Sequence, residues 1–159
     1  MTPSQDRQRK ALMDQVKKIL QAQHGRARMA ERYMEQCFRR VPSEDLLSES
    51  PADLAAIIMG QLDFIRRRGA GEVLVRVRNP SLENDGWEST HTVIETACDD
   101  RPFLVDTVAL TLSEMGLNVH LIIHPVMRIG RDAAGGLNGV YAKTSNRGRP
   151  ESITHFRVD

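Results

Sequence analysis

The residues best suited to hold a small molecule lie in one short run, Asp99-Asp100-Arg101-Pro102-Phe103-Leu104. A β-branched stretch ends just before it and helical periodicity begins inside it, so the run carries the chain from a strand end into a helix start. Backbone N–H groups at a helix start lack partners within the helix, and the macrodipole makes them positive. They suit a carboxylate or a phosphate, and Arg101 would add charge. The same run is equally well described as an ordinary helix start whose two aspartates oppose the dipole favourably.

Other candidate constellations fail on spacing. His120 and His124 share a face of a strand but would stand about 13 Å apart at ~3.3 Å per residue, too far for one ion with imidazole bonds near ~2 Å. Ser113 and Asp106 fall on one predicted helix, with no histidine at a fixed register and no nucleophile elbow. Gly130, Gly135, Gly136 and Gly139 lack the Lys-Ser/Thr ending of a phosphate loop and imply flexibility. Gly69-Ala70-Gly71 precedes a strand, which excludes a dinucleotide loop. Cys37 and Cys98 are too far apart in sequence for a zinc pattern or a disulfide framework, and read as free thiols of a reducing cytoplasm. No catalytic, metal-binding or cofactor-binding set is expected in these residues.

The elements that must position the run follow from composition and periodicity. With 159 residues, 40% hydrophobic and 27% charged, the chain has room for one soluble domain, or one domain plus a helical appendage. No apolar run approaches the ~20 residues of a membrane span, and Met1–Lys10 is polar with no signal-peptide core behind it. The first forty residues carry ten Lys/Arg against four Asp/Glu. With only 4% aromatics there is no stacking platform, so this basic leader reads as a solvated helical face and neither nucleic acid nor membrane is expected as a partner.

Leu12, Val16, Ile19 and Leu20 recur at helical spacing, and Met29, Tyr33 and Cys37 continue a stripe, after a first ten residues expected to be frayed. Ser50 and Pro51 open a helix expected over 51–68 with Leu54, Ile57, Ile58, Leu62 and Ile65 on one face. Arg66, Arg67 and Arg68 would oppose its dipole and Gly69 would stop it. Val73, Val75 and Val77 alternate on a strand over 72–78, a turn of about ten residues follows, and 91–98 is a second strand. A helix opens at Pro102 with Leu104, Val108, Leu112 and Met115 facing a core, and ends in a Schellman turn at Gly116-Leu117. Residues 118–129 read as one long strand, 130–150 as a Gly-rich loop and 152–158 as a last strand. Apolar residues fall on both sides of the long strand, which implies that both sheet faces are covered, one by these helices and one by a partner surface.

Asn79-Pro80, Gly86-Trp87, His91-Thr92-Val93, the run Asp99-Asp100-Arg101-Pro102-Phe103-Leu104-Val105-Asp106 and His120-Leu121-Ile122-Ile123-His124-Pro125-Val126 together closely resemble one family. They resemble the N-terminal region of the large bacterial NAD-specific glutamate dehydrogenases, from about Glu31 to Asp159. The resemblance implies an α+β fold with a ferredoxin-like, ACT-like βαββ sheet over residues 71–159, incomplete at its C-terminus, preceded by a helical segment over 1–70. It implies oxidative deamination of L-glutamate with NAD by the full-length enzyme, in which this fragment serves regulation or assembly without a catalytic site of its own. The implied partners are the enzyme's remaining domains, further copies in a homo-oligomer and an amino-acid effector. The implied effector contacts are Asp99, Asp100, Arg101, Pro102 and Phe103 with Asn118 and His120 at the start of the next strand. Phe103 stands where such modules carry glycine, and its bulk is expected to fill the pocket. The alternative is a free-standing amino-acid-sensing or oligomerisation module.

Overall fold

A computed structural model describes residues 3–23 and 25–159. Four helices come first: α1 (Pro3–Gln21), α2 (Ala27–Phe38), α3 (Ser43–Leu47) and α4 (Pro51–Phe64). Then follow β1 (Leu74–Arg78), α5 (Leu82–Asp85), β2 (Thr92–Asp99), α6 (Leu104–Glu114), β3 (Val119–Ile123), β4 (Val126–Arg131), β5 (Leu137–Ala142) and β6 (Arg149–Val158). The strands form one antiparallel sheet in the order β1-β2-β6-β4-β5, with β3 also paired to β6. This is the expected ACT-like α+β sheet behind an N-terminal helical segment. No helix among the described residues is long and apolar enough to cross a membrane.

Helices α1, α2, α3 and α4 cover one face. Leu12, Val16 and Leu20 of α1, Tyr33 and Cys37 of α2, and Leu54, Ile58 and Leu62 of α4 pack into one core with Ala97, Ile123, Met127, Ile129, Val140 and Ile153 from the sheet. Each buried aliphatic side chain here contributes about 1.5–3 kcal/mol. The start of α1 is not frayed over the described residues: Arg9 reaches across to the carbonyls of Phe38 and Val41 and to the Ser43 hydroxyl. Ile19 falls at the rim of the stripe, 36% exposed, because Leu12, Val16 and Leu20 already span the buried face. The α4 N-terminus forms as its residues dictate, with Asp53 N–H donating to Ser50 Oγ at 3.0 Å and Pro51 in the first turn.

Helix α4 ends at Phe64, short of the expected Arg68. Beyond it the chain extends and pairs with the hairpin of β4 and β5: Leu137 N–H donates to Arg66 C=O, and Arg68 N–H to Gly135 C=O. The arginine run is therefore pulled out of the helix by tertiary hydrogen bonds. Arg68 is not a solvated cap. It is 5% exposed, its Nε donates to Glu151 at 2.9 Å, an NH₂ to Asp99 at 2.7 Å and the other to Glu72 C=O.

The other face carries α6, which packs Leu112 against Phe156 and Val158. Its C-terminus is the anticipated Schellman turn: Leu117 N–H donates to Leu112 C=O, Gly116 N–H to Ser113 C=O, and Gly116 has φ +78°. Met115 is 69% exposed rather than buried, because the helix has ended and Leu117 takes the place against the outer core. Val73, Val75 and Val77 do share a face, but it is this outer one; they are 61–62% exposed beyond the reach of α6. Leu74, Arg76 and Arg78 point instead to the helical layer, where Arg76 meets Phe64 and Glu95.

The expected long strand is broken into β3 and β4, yet both keep one register along β6, with Ile123 opposite His155 and Val126 opposite Ser152. Pro125 has no N–H to continue the ladder, which explains the gap. The Gly-rich segment is not a loop throughout, since β5 lies within it and β6 begins at Arg149. Its turn is ordered: Asp132 accepts from the N–H groups of Ala134 and Gly136, and Gly135 has φ +82°. A Cβ on Gly135 would meet Arg68 O at 2.4 Å, so only glycine permits this approach.

Between β2, β6 and the helices lies a buried charged network. His155, fully buried, donates from Nδ1 to Glu95 Oε1 at 3.1 Å, and Arg76 pairs with Glu95 Oε2. Burial opposes the Glu95 charge, but the His155 hydrogen bond and the nearby Arg76 and Arg78 prevail and hold its pKa at about 2. For His155 burial prevails over the pull of Glu95 and lowers the pKa below 6.5. Both shifts are depressions, so each contributes stability above the group's unfolded pKa and loses it on acidification.

Two outcomes follow from these buried groups. Urea stability of the chain falls as pH drops below about 6.5 and falls further from about 4.5 toward 2; His155→Gln flattens the upper limb, and a flat wild-type profile between pH 7 and 4 contradicts the assignment. Replacing Glu151 by Leu strands two arginines and costs about 3–5 kcal/mol by urea titration. Arg68→Met costs less, because Glu151 retains its paired contact with Arg131.

Candidate effector site

The run singled out in the sequence occupies the junction of β2 and α6. Asp99 ends β2 and is held by Arg68, whose hydrogen bond keeps the Asp99 carboxyl below its usual range. Asp100 N–H donates to Pro150 C=O, tying the loop to the start of β6. Arg101, Pro102 and Phe103 are exposed. Phe103 is the N-cap of α6, with φ +64° and ψ +11°, and no side chain caps the first turn. It is the one non-glycine residue with positive φ among those described. This is the left-handed conformation that glycine adopts without penalty and that costs a residue with a Cβ roughly 1–2 kcal/mol. The ring does not fill a pocket within the chain; it is 76% exposed.

Beside this junction lies a cleft of about 750 Å³, bounded by Arg68 to Gly71, the β4–β5 turn and the approach to β6. Glu151 forms its floor, paired with both Arg68 and Arg131. Arg147 lies over the Tyr141 ring at 4.6 Å, and Arg149 is exposed at the rim. Asp99 is the only residue of the expected effector set that lines this cleft. The cleft arginines were missed because Arg68 reads as a helix cap, while Arg131, Arg147 and Arg149 lie in or beside a stretch that reads as loop.

Asn118 and His120 are at the other end of the same strands. Asp99 pairs with Glu151 at one end of β6, and Val119 with Val158 at the other. Seven residues of strand separate those two rows, about 23 Å at ~3.3 Å per residue. Within one copy, Asp99, Asp100, Arg101, Pro102 and Phe103 are thus together, and Asn118 and His120 are not with them. His120 instead contacts Asp159 and His91. His124 is half-buried; its Nε2 lies 3.0 Å from Ser152 Oγ, and burial lowers its pKa. Cys37 and Cys98 are free and buried, and burial raises both thiol pKa values.

An antiparallel sheet with a strand–helix–strand unit on one face and an uncapped helix start beside a charged cleft defines an ACT-like α+β module. The model of the ACT1 domain of glutamate dehydrogenase matches residues 33–159, so the chain belongs to that family. It is 36% identical over 160 aligned positions to the NAD-specific glutamate dehydrogenase of Halomonas elongata, covering 98% of this chain. It is 32% identical to the enzyme of the same name from Pseudomonas aeruginosa over 80% of the chain. The chain spans only 10% and 8% of the length of those two relatives. No solved structure matches it significantly.

The strained backbone at Phe103 has a measurable consequence. Phe103→Gly raises stability by about 1 kcal/mol, since it relieves the left-handed penalty and sacrifices a ring that is mostly in solvent. A loss of stability in urea titration would show that the ring has a partner that compensates the strain.

Proposed function

We propose that this chain is the N-terminal regulatory or assembly segment of an NAD-dependent glutamate dehydrogenase, with a helical part over 1–70 and an ACT-like part over 71–159. The observation that carries the reading is the family match over 33–159, together with similarity to two much longer NAD-specific enzymes. The reaction is the conversion of L-glutamate, NAD⁺ and water to 2-oxoglutarate, ammonium and NADH in the cytoplasm. The NAD-binding and catalytic groups belong to the enzyme's remaining domains, which are the first partners of this segment.

Three features support a role in regulation or assembly. The uncapped α6 start offers free N–H groups to a carboxylate such as that of an amino acid, and the exposed Arg101 adds a cation. Asp99–Phe103 and Asn118–His120 lie at opposite ends of one copy, so an amino-acid effector touching both sets bridges two copies of a homo-oligomer. Val75 and Val77 on the edge strand β1, Val73 just before it and the ring of Phe103 expose apolar surface of the kind that a neighbouring domain or subunit covers.

The test begins with the native product. An antibody against this segment recovers a polypeptide many times larger than 17.9 kDa, and glutamate-dependent NADH formation co-purifies with it. In that full-length enzyme, Arg101→Ala shifts the concentration at which glutamate, aspartate or arginine changes the rate, and leaves the effector-free kcat unchanged. A native product near 17.9 kDa without dehydrogenase activity overturns the enzyme reading and favours a free-standing amino-acid sensor.

A further inference from the structure

Three chain segments meet at one corner of the sheet. Val158 pairs with Thr92 on one side and with Val119 on the other. One residue beyond that row stand His91, Asp159 and Asn118. Asp159 is fixed by its backbone, with its N–H donating to Asn118 C=O at 3.1 Å and its C=O accepting from Asn118 N–H at 2.8 Å. On a regular strand His120 would share a face with Ile122, on the side away from the helical layer. The register shift between Val119 and Leu121 inserts one residue against β6 and re-aims the His120 side chain toward Asp159.

The resulting cluster is tight. His120 Nε2 lies 2.8 Å from Asp159 Oδ1, and His91 Nε2 lies 3.9 Å from Asp159 Oδ2. The two imidazole centroids are 4.1 Å apart. One ligating atom from each of the three residues lies within 4.8 Å of the others. Donors around an ion with bonds of ~2 Å in tetrahedral geometry stand about 3.3 Å from one another. The cluster brackets that spacing, and small rotations of partly exposed side chains reach it.

We propose that His91, His120 and Asp159 bind a divalent transition-metal ion of the zinc class, with water completing its coordination. Two imidazoles and one carboxylate form a borderline donor set that suits Zn²⁺, Co²⁺, Ni²⁺ or Cu²⁺ and disfavours Mg²⁺ and Ca²⁺, which take oxygen ligands. Asn118 Nδ2 donates to Asp159 Oδ1 at 3.3 Å and orients it, as outer-sphere partners of metal ligands do. Side-chain exposures of 29%, 42% and 52% leave an entry path from solvent. A bound ion joins the start of β2, the start of β3 and the end of β6, which are distant in sequence, and stabilises the folded chain by mass action. This site shares Asn118 and His120 with the effector reading, but it stands on geometry within one copy and needs no second copy.

The test uses the untagged 159-residue chain. Calorimetric titration with zinc sulfate gives one equivalent bound, and the thermal midpoint rises with added zinc. His91→Ala and His120→Ala each weaken binding by about tenfold or more, at least the effect of losing an outer-sphere partner, and remove the midpoint rise. His124→Gln changes neither. Cobalt chloride gives visible d–d absorption with the wild-type chain that is lost in His91→Ala. Circular dichroism of each variant separates loss of ligand from loss of fold, and Asp159→Asn, on an exposed side chain, provides a further ligand variant. Absence of zinc binding by the wild-type chain, or binding undiminished in the His91 and His120 variants, overturns the proposal.

Discussion

The rest of the structure depends on the buried carboxylate of Glu151. It sits near the start of the central strand β6, 2% exposed, and receives guanidinium groups from Arg68 and Arg131. Arg68 ends the helical segment and also reaches Asp99 at the end of β2 and the Glu72 carbonyl before β1. Arg131 ends β4 and bonds the carbonyls of Ile65 and Gly135. One carboxylate thereby ties the helical layer, both sides of the sheet and the β4–β5 turn to a single point. A buried ion pair stabilises little in net terms, but an incomplete one is expensive. Pairing both arginines with Glu151 holds the elements that carry them in mutual register.

The same arrangement explains why the chemically distinctive groups sit at the two ends of β6. At the Glu151 end the arginines that satisfy the carboxylate also line an open cleft, and the β2–α6 junction lies alongside. At the Val158 end three chain segments meet, and beside the bulge in β3 two imidazoles and a carboxylate gather at a partly exposed corner. Between the ends β6 is buried on both faces, with Phe156 and Val158 under α6 and Ile153 and His155 under the helical layer. Thr154 pairs with Thr96 across the sheet and His155 Nδ1 with Glu95, while among the described residues His155 Nε2 and Arg157 Nε and Nη2 are buried without a hydrogen-bond partner.

Phe103 is the place where local preference and tertiary demand conflict most openly. A left-handed N-cap favours glycine, yet the position carries a large aromatic ring that packs on little else in the chain. Such strain persists only where the surroundings over-determine the backbone; here Asp100 is tied to Pro150 and Thr107 N–H is bonded to Phe103 C=O. The uncapped first turn and the strained residue coincide at one junction, which makes it the part of the fold least explained by packing alone.

Local signals in the amino-acid sequence determined a good deal. Ser50-Pro51 made a helix start because an oxygen and a ring without an N–H are what that position needs, and Gly116-Leu117 made a Schellman turn because only glycine enters αL freely. The β-branched runs made β1 and β2, and the residue blocks identified the family. What only the tertiary structure decided are the features set by contacts between distant segments. Arg68 left its helix because Gly135 offered a backbone partner and Glu151 a charge. The Gly-rich stretch ordered into β5 because β4 supplied a ladder, and Val73, Val75 and Val77 were left in solvent because α6 does not extend over β1. His91, His120 and Asp159 met because a one-residue bulge turned a side chain across the sheet. Hydrogen-bond ladders and buried charge pairs join residues far apart in the chain, so their partners cannot be read from neighbours in sequence, whereas caps, turns and periodicity can.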